Sequence, residues 1–289
     1  MTWVNLVIQG ILLGGLYALF ASGLSLIFGV MRLVNLAHGD LSNVAAFLAL
    51  VVVDTVGWNP FASLLIVVPL MCGLGYVLQR YVLNRILERG PMPPLLVTFG
   101  LAIIIQNLLL ETFSADSQGL DAGRIEDTAL TITSRLAVGW LPLITMAVAV
   151  AVIVALQLFL GRTQLGRGFR ATSDNQKAAQ LVGINNRRLY GYAMALALAT
   201  AAIAGVFIGI RTTFSPDVGS MRLIFAYEAV IMGGLGSLWG TLVGGIVLGV
   251  AQTIGSQIDP GLGVLAGHLV FLAVLALRPE GLFAKQVTE

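Results

Sequence analysis

Charge is what this chain has least of. Asp, Glu, Lys and Arg make up 10% of its 289 residues, against about 25% in an average soluble domain. Hydrophobic residues make up 57%, and several uncharged runs reach the ~20 residues needed to cross ~30 Å of hydrocarbon. These proportions specify a polytopic α-helical membrane protein; a β-barrel would instead show short segments of alternating polarity. Cysteine is nearly absent: Cys72 stands alone in an apolar run, which excludes an internal disulfide. The two histidines, His38 and His268, belong to no Cys/His cluster, so no metal site is expected. No G-x-x-x-x-G-K-[ST] occurs, which excludes ATP binding through a Walker A loop. The glycines at 233–240 do not fit G-x-G-x-x-G and sit in an apolar segment, as packing or hinge glycines. No nucleophile–base pair stands out, which disfavours an enzyme, and no cofactor is expected. Met1-Thr2-Trp3 lacks a basic leader, so no secretory signal peptide is expected.

The placement of the few charges orients the chain. The first apolar segment, about 3–30, is followed by the first basic residue, Arg32, so its start belongs outside by the positive-inside rule. Segments follow at about 41–57, 60–83, 95–110, 138–160, 189–210, 223–254 and 261–277, an expected total of about eight spans. Arg80, Arg85 and Arg89 mark a cytoplasmic loop that Pro91, Pro93 and Pro94 end. The interval 111–136 carries Glu111, Asp116, Asp121, Glu126 and Asp127 against Arg124 and Arg135, as a periplasmic loop should. The tail is balanced (Arg278 and Lys285 against Glu280 and Glu289), and an eight-span count puts it outside. Gly10 with Gly14, Gly205 with Gly209, and Gly236 with Gly240 and Gly244 form small-residue stripes that suit close helix contact.

Two apolar segments are interrupted. Asn35, His38, Asp40, Ser42 and Asn43 crowd one stretch, where Gly39 is expected to break the helix; the alternative is an ordinary turn before a capped helix. Near the other end, Gly233-Gly234-Leu235-Gly236-Ser237 interrupts 223–254. The stretches 39–52 and 236–249 both open on glycine and a small polar residue and run in opposite directions, which points to an inverted repeat around a central passage. Asn35, His38, Asp40, Ser42, Asn43, Gly236, Ser237 and Trp239 are the expected lining of that passage. Asp54 and Glu228 lie in apolar segments, where carboxylates more often serve transport paths or buried pairs than acid–base catalysis. Gln106 and Asn107 read as interhelical glue.

The interval 161–188 is the most basic, with Arg162, Arg167, Arg170, Lys177, Arg187 and Arg188 against Asp174 alone, and is expected in the cytoplasm. Ser173 with Gln176 reads as a capping box, and Gly183 as the stop. The helix between them has an apolar side in Ala178, Ala179, Leu181 and Val182. Such an element either docks into a partner's groove or merely connects two spans. Ser173, Asp174, Lys177, Ala178, Ala179, Leu181, Val182 and Gly183 are the candidate docking residues.

Lys177-Ala178-Ala179 followed by Gly183 resembles the E-A-A-x-x-x-G coupling loop of bacterial ABC importer permeases, with lysine in place of the glutamate. VNLAHGD at 34–40, KAAQLVGIN at 177–185, GGLGSLWGTLVGGIVLG at 233–249 and RPEGLF at 278–283 resemble the high-affinity branched-chain amino acid importer permeases of the LivH type. That family's first motif is close to I-N-F-A-H-G-E; Leu36 and Asp40 depart from it mildly. The likeness covers nearly the whole chain, in the family's order. It implies one permease domain, residues 1–289, in the bacterial inner membrane. Expected partners are a second homologous permease, two cytoplasmic ATP-binding subunits, a periplasmic solute-binding protein and the bilayer, with no nucleic acid. The family serves branched-chain amino acids, urea, short amides and other small solutes. A stand-alone carrier using His38, Asp54 and Glu228 for ion coupling is the competing class; it has no need of a docking helix.

Overall fold

The computed structural model describes residues 3–90, 92–133 and 136–283. The expectations for Pro91, Arg135, Lys285 and Glu289 lie outside these. The elements are α1 (Trp3–Met31), α2 (His38–Val56), α3 (Pro60–Tyr81), α4 (Met92–Phe113), α5 (Arg124–Asp127), β1 (Ala129–Thr133), β2 (Leu136–Gly139), α6 (Trp140–Arg162), α7 (Gln164–Asp174), α8 (Gln176–Leu181), α9 (Asn186–Arg211), α10 (Val218–Gly233), α11 (Leu238–Ile258) and α12 (Leu262–Leu277). The protein is an all-α, multi-pass helical bundle; among the described residues its strands are confined to one small antiparallel hairpin before α6. Among the described residues seven helices, α1, α2, α3, α4, α6, α9 and α11, are long and apolar enough to span a membrane. The 16-residue α10 and α12 reach roughly 24 Å each at 1.5 Å per residue.

Hydropathy cannot say which side of such helices faces the core, because lipid is as apolar as leucine; close packing of small residues decides it instead. The most apolar stretches of α1 and α9 are each 78% buried, against 22% for α6, so α1 and α9 form the centre and α6 the rim. Gly10 and Gly14 of α1 do pack as a pair: a β-carbon at Gly14 would lie 2.7 Å from the Ile246 nitrogen, and one at Gly10 2.6 Å from the Val250 Cα. The α11 stripe serves two partners, since Gly240 and Gly244 press on Gly233 and Ala229 of α10, while Gly245 and Gly249 press on α1. On α9, Gly205 meets Ser42 and Gly209 meets Leu120 and Phe214.

The repeat is present, with a different pairing from the expected one. α1 runs from the acidic end of the bundle to the basic end. Residues 32–37 then turn back inward, and α2 starts beside Phe20 of α1, near mid-depth: the His38 Nε2 lies 3.3 Å from the Phe20 carbonyl oxygen. α9 runs the opposite way. Residues 212–217 turn back inward from the acidic end, and α10 starts at the same depth, where Gly219 packs on Gly39 and Asp40. The end of α9 and the start of α10 each fall 180 residues beyond the end of α1 and the start of α2, Met31 to Arg211 and His38 to Val218. The same shift carries Gly39 onto Gly219. So α2 corresponds to α10, and α3 to α11; the expected match of 39–52 with 236–249 is corrected.

Three further expectations change. Gly39 does not break a helix; it lies in the first turn of α2, and the break is the extended stretch before it. The stretch 223–254 is not one interrupted span. It holds most of α10 and α11, which run in opposite directions and meet at Gly234, where φ is +103°. This splits the expected seventh segment into two helices and moves the tail. The Leu282 and Phe283 N–H groups donate to the carbonyls of Met232 (2.8 Å) and Gly233 (3.1 Å), which places residues 278–283 at the basic end.

Candidate functional site

At the basic end, α7 and α8 form a short helical hairpin between α6 and α9. Thr163 caps α7, its hydroxyl accepting from the Gly166 N–H at 3.0 Å. The helix therefore begins at Gln164, well before Ser173, and takes it into its last turn. Ser173 does not cap α8, as the capping-box reading required; its hydroxyl donates to the Gly29 carbonyl at 2.6 Å, tying α7 to the end of α1. The cap is Asn175, extended at φ −151° and ψ 104°, whose Oδ1 accepts from the Ala178 N–H at 3.0 Å. With Ser173 held by helical backbone, the next strong capping residue takes the role, which makes Gln176 the first residue of α8 rather than the third.

Gly183 does end α8, at φ +87°, a left-handed stop that suits glycine. The hairpin is anchored from below. The Asn186 Nδ2 donates to the Gln176 carbonyl at 3.0 Å, and the Thr172 hydroxyl donates to the Asn186 Oδ1 at 3.1 Å. Ala179 is buried beneath α8, only 3% exposed, whereas Leu181 is 89% and Val182 77% exposed. Asp174, Lys177 and Ala178 are also exposed. The candidate docking residues thus divide into Ala179, which packs the hairpin, and an outward apolar pair flanked by charge.

Near mid-depth, Asn35, His38, Asp40, Ser42 and Asn43 come together, all buried. They brace helices rather than line an opening. The Asn35 Oδ1 accepts from the Ala37 N–H at 3.1 Å. Ser42 donates to the Ala201 carbonyl of α9 at 2.8 Å. The Asn43 Nδ2 donates to the carbonyls of Ser215 (2.9 Å) and Pro216 (3.3 Å), holding the second re-entrant stretch. Gln106 of α4 bridges the two re-entrant helices, donating to the Asp40 Oδ1 at 2.9 Å and to the Ser220 hydroxyl at 2.7 Å. Ser42 and Asn43 thus reach across to the other repeat. The His38 Nδ1, Asp40 Oδ2 and Asn43 Oδ1 are enclosed there without a hydrogen-bond partner.

Gly236, Ser237 and Trp239 are elsewhere. They form the α10–α11 turn at the basic end, where Gly236 packs on Gly29 and the Ser237 hydroxyl caps α11 by accepting from the Gly240 N–H at 3.1 Å. The two interruptions therefore sit at different depths. The three titratable residues of the carrier reading are also apart in the fold: His38 lies in the crossing, Asp54 is exposed near the end of α2, and Glu228 of α10 pairs with His268 of α12. Sequence reading missed Ser220; Gln106, read as interhelical glue, does join α4 to α2 and α10. The signal was present in the paired glycines, Gly39-Asp40-Leu41 and Gly219-Ser220-Met221.

Comparison with known proteins places this architecture. The high-affinity branched-chain amino acid transport system permease protein BraD of Pseudomonas aeruginosa is 25% identical over 300 residues, covering 99% of this chain and 97% of its own length. The corresponding LivH protein of Escherichia coli K12 is 26% identical, covering 97% of this chain and 95% of its own. The fructose import permease protein FrcC of Rhizobium meliloti is 30% identical over 223 residues, covering 71% of this chain and 60% of its own length. A family model described as the permease component of the branched-chain amino acid transport system matches residues 6–277. With that match running from α1 through α12, the chain belongs to the family of branched-chain amino acid transport system permease components.

Proposed function

We propose that this permease component moves a branched-chain amino acid, or a related small polar solute, inward across the cell membrane, and that ATP is hydrolysed on two partner subunits seated at the basic end. The observation that carries this reading is the exposed Leu181–Val182 pair on an anchored helix. A large apolar pair held outward beside charge suits insertion into a partner's groove, and a self-sufficient carrier has no use for it. Exposed lysine and arginine at the same end suit the cytoplasmic side, and the acidic interval between α4 and α6 suits the outside. Both ends of the chain then acquire sides, with the start of α1 outside and residues 278–283 inside.

Passage is through the region where α2 and α10 cross. Irregular backbone near mid-depth is tolerated only where protein or water satisfies it, and here the side chains of Asn35, Asn43, Thr98 and Arg222 supply partners. Because the crossing is closed, this conformation is occluded there. Opening separates α2 from α10 and exposes Asn35, His38, Asp40, Ser42 and Asn43 to the solute, whereas the turn bearing Gly236, Ser237 and Trp239 moves with the partner subunits. A second homologous permease completes the path, and a periplasmic binding protein delivers the solute.

Affinity purification of the tagged chain from native membranes in mild detergent tests the partners. The expected result is stoichiometric recovery of ATP-binding subunits and a second permease. Recovery of the chain alone, still active in uptake after reconstitution, would overturn the reading.

A further inference from the structure

On the side of α10 facing α1, a cavity of about 290 Å³ opens among α1, the end of α9, the stretch 212–213 and the first half of α10. That is close to the lower end of the ~300–1000 Å³ usual for small-ligand sites. Two arginines line it and no carboxylate does. Arg222 is engaged: its Nη2 donates to the Thr212 hydroxyl at 3.1 Å and to the Thr213 carbonyl at 3.0 Å, fixing the second re-entrant stretch. Arg211 is different, because its Nη1 is fully enclosed and makes no hydrogen bond. A guanidinium is charged at any working pH and presents its donors in a planar fork that matches a carboxylate. Leaving such a group enclosed without an anion is costly. Leu13, Leu16 and Phe20 of α1 with Met221 and Phe225 of α10 make much of the remaining lining apolar. Tyr17 donates its own proton to the Gln252 Oε1, which leaves the phenol oxygen free to accept from an ammonium group, and Thr213 lines the same space.

We propose that this cavity binds the substrate on the outer side of the crossing, with Arg211 taking the carboxylate and the wall of α1 and α10 taking an aliphatic side chain. The proposal rests on the amino-acid reading above and sharpens it: a neutral sugar or amide would leave the Arg211 guanidinium without a counter-charge, whereas a zwitterion with an apolar side chain matches all three parts of the lining. Occupancy also explains how a solute reaches the crossing, since Val218, Met221 and Arg222 of α10 line the cavity while Gly219 and Ser220 of the same turn pack on α2 and Gln106.

The test uses the purified complex with Met221→Cys in a Cys72→Ala background, following the rate of maleimide labelling. Leucine should slow labelling, and leucinamide, which lacks the carboxylate, should not. Arg211→Gln should weaken protection by roughly 10- to 100-fold, the usual worth of a hydrogen bond to a charged group, and Arg211→Lys should restore part of it. Leucine uptake by the same complexes, measured in parallel, should fall with Arg211→Gln. Absence of protection by saturating leucine, protection indifferent to Arg211→Gln, or protection by anionic lipid instead of leucine would each overturn the site. Unchanged uptake in Arg211→Gln would overturn it while leaving the permease reading in place. Protection by leucine in a wild-type complex that takes up none would keep the site and overturn that reading.

Discussion

Valine at Gly219, or at Gly39, should strongly destabilise the folded protein. A β-carbon at Gly39 would collide with the Gly219 carbonyl oxygen, and one at Gly219 would lie 2.7 Å from the Asp40 Cα and 2.8 Å from its nitrogen. The obstacle on both sides is backbone, which cannot swing aside as a side chain does. The two helices would have to separate, and the Gln106 bridge to Asp40 and Ser220 would be lost with them. Overpacking of cores commonly costs about 1–3 kcal/mol; with two rigid backbones and a polar bridge involved, we expect about 3 kcal/mol or more, a large share of total stability. Gly73, Gly100 and Gly161 are the controls, because a β-carbon there meets nothing within 4 Å; valine at each should stay within about 0.5 kcal/mol of the parent. Heating in detergent followed by size-exclusion chromatography reads the difference. A Gly219→Val protein with the parent's thermal midpoint would refute the crossing.

The second large effect is expected at Leu181. Leu181→Asp should reduce recovery of the ATP-binding subunits and ATP-driven uptake by tenfold or more, while the thermal midpoint of the permease stays unchanged. Burying a leucine contributes about 1.5–3 kcal/mol, and an aspartate forced into an apolar groove adds a desolvation penalty. Because Leu181 is so exposed in the free subunit, its replacement disturbs nothing within α8. Ala179→Asp is the instructive contrast: it places a charge beneath the helix, so lost uptake would be accompanied by a lowered midpoint. Val182→Asp should behave as Leu181→Asp does. Parental uptake and subunit recovery in a Leu181→Asp/Val182→Asp double variant would show that this surface docks nothing.

Sequence reading located most helices to within a few residues, because uncharged runs of spanning length have few alternatives in a chain this apolar. It failed at α10. The interval from about Arg211 to Arg222, which contains Ser215-Pro216-Asp217, reads as a short outer loop, whereas α10 already starts at Val218. The structure accommodates Arg222 through the Thr212 hydroxyl and the Thr213 carbonyl, partners that only a re-entrant stretch can supply. The capping box failed for a related reason: Ser173 followed by Gln176 satisfies the local pattern, but Thr163 starts an earlier helix that absorbs the serine. The polar residues at 35–43 were recognisable as unusual, and their burial follows from contacts with Ala201, Ser215 and Pro216, more than 150 residues away along the chain. No local pattern encodes such contacts. The repeat was detectable in principle, but matching by motif selected the glycines of α11 rather than Gly219.

Uptake of radiolabelled leucine into proteoliposomes holding the purified complex tests the account most directly, with ATP, a proton gradient or a sodium gradient as the only energy source. An ABC permease should accumulate leucine with ATP alone, and Leu181→Asp should abolish that accumulation. Accumulation driven by either ion gradient in the absence of ATP and ATP-binding subunits would contradict it.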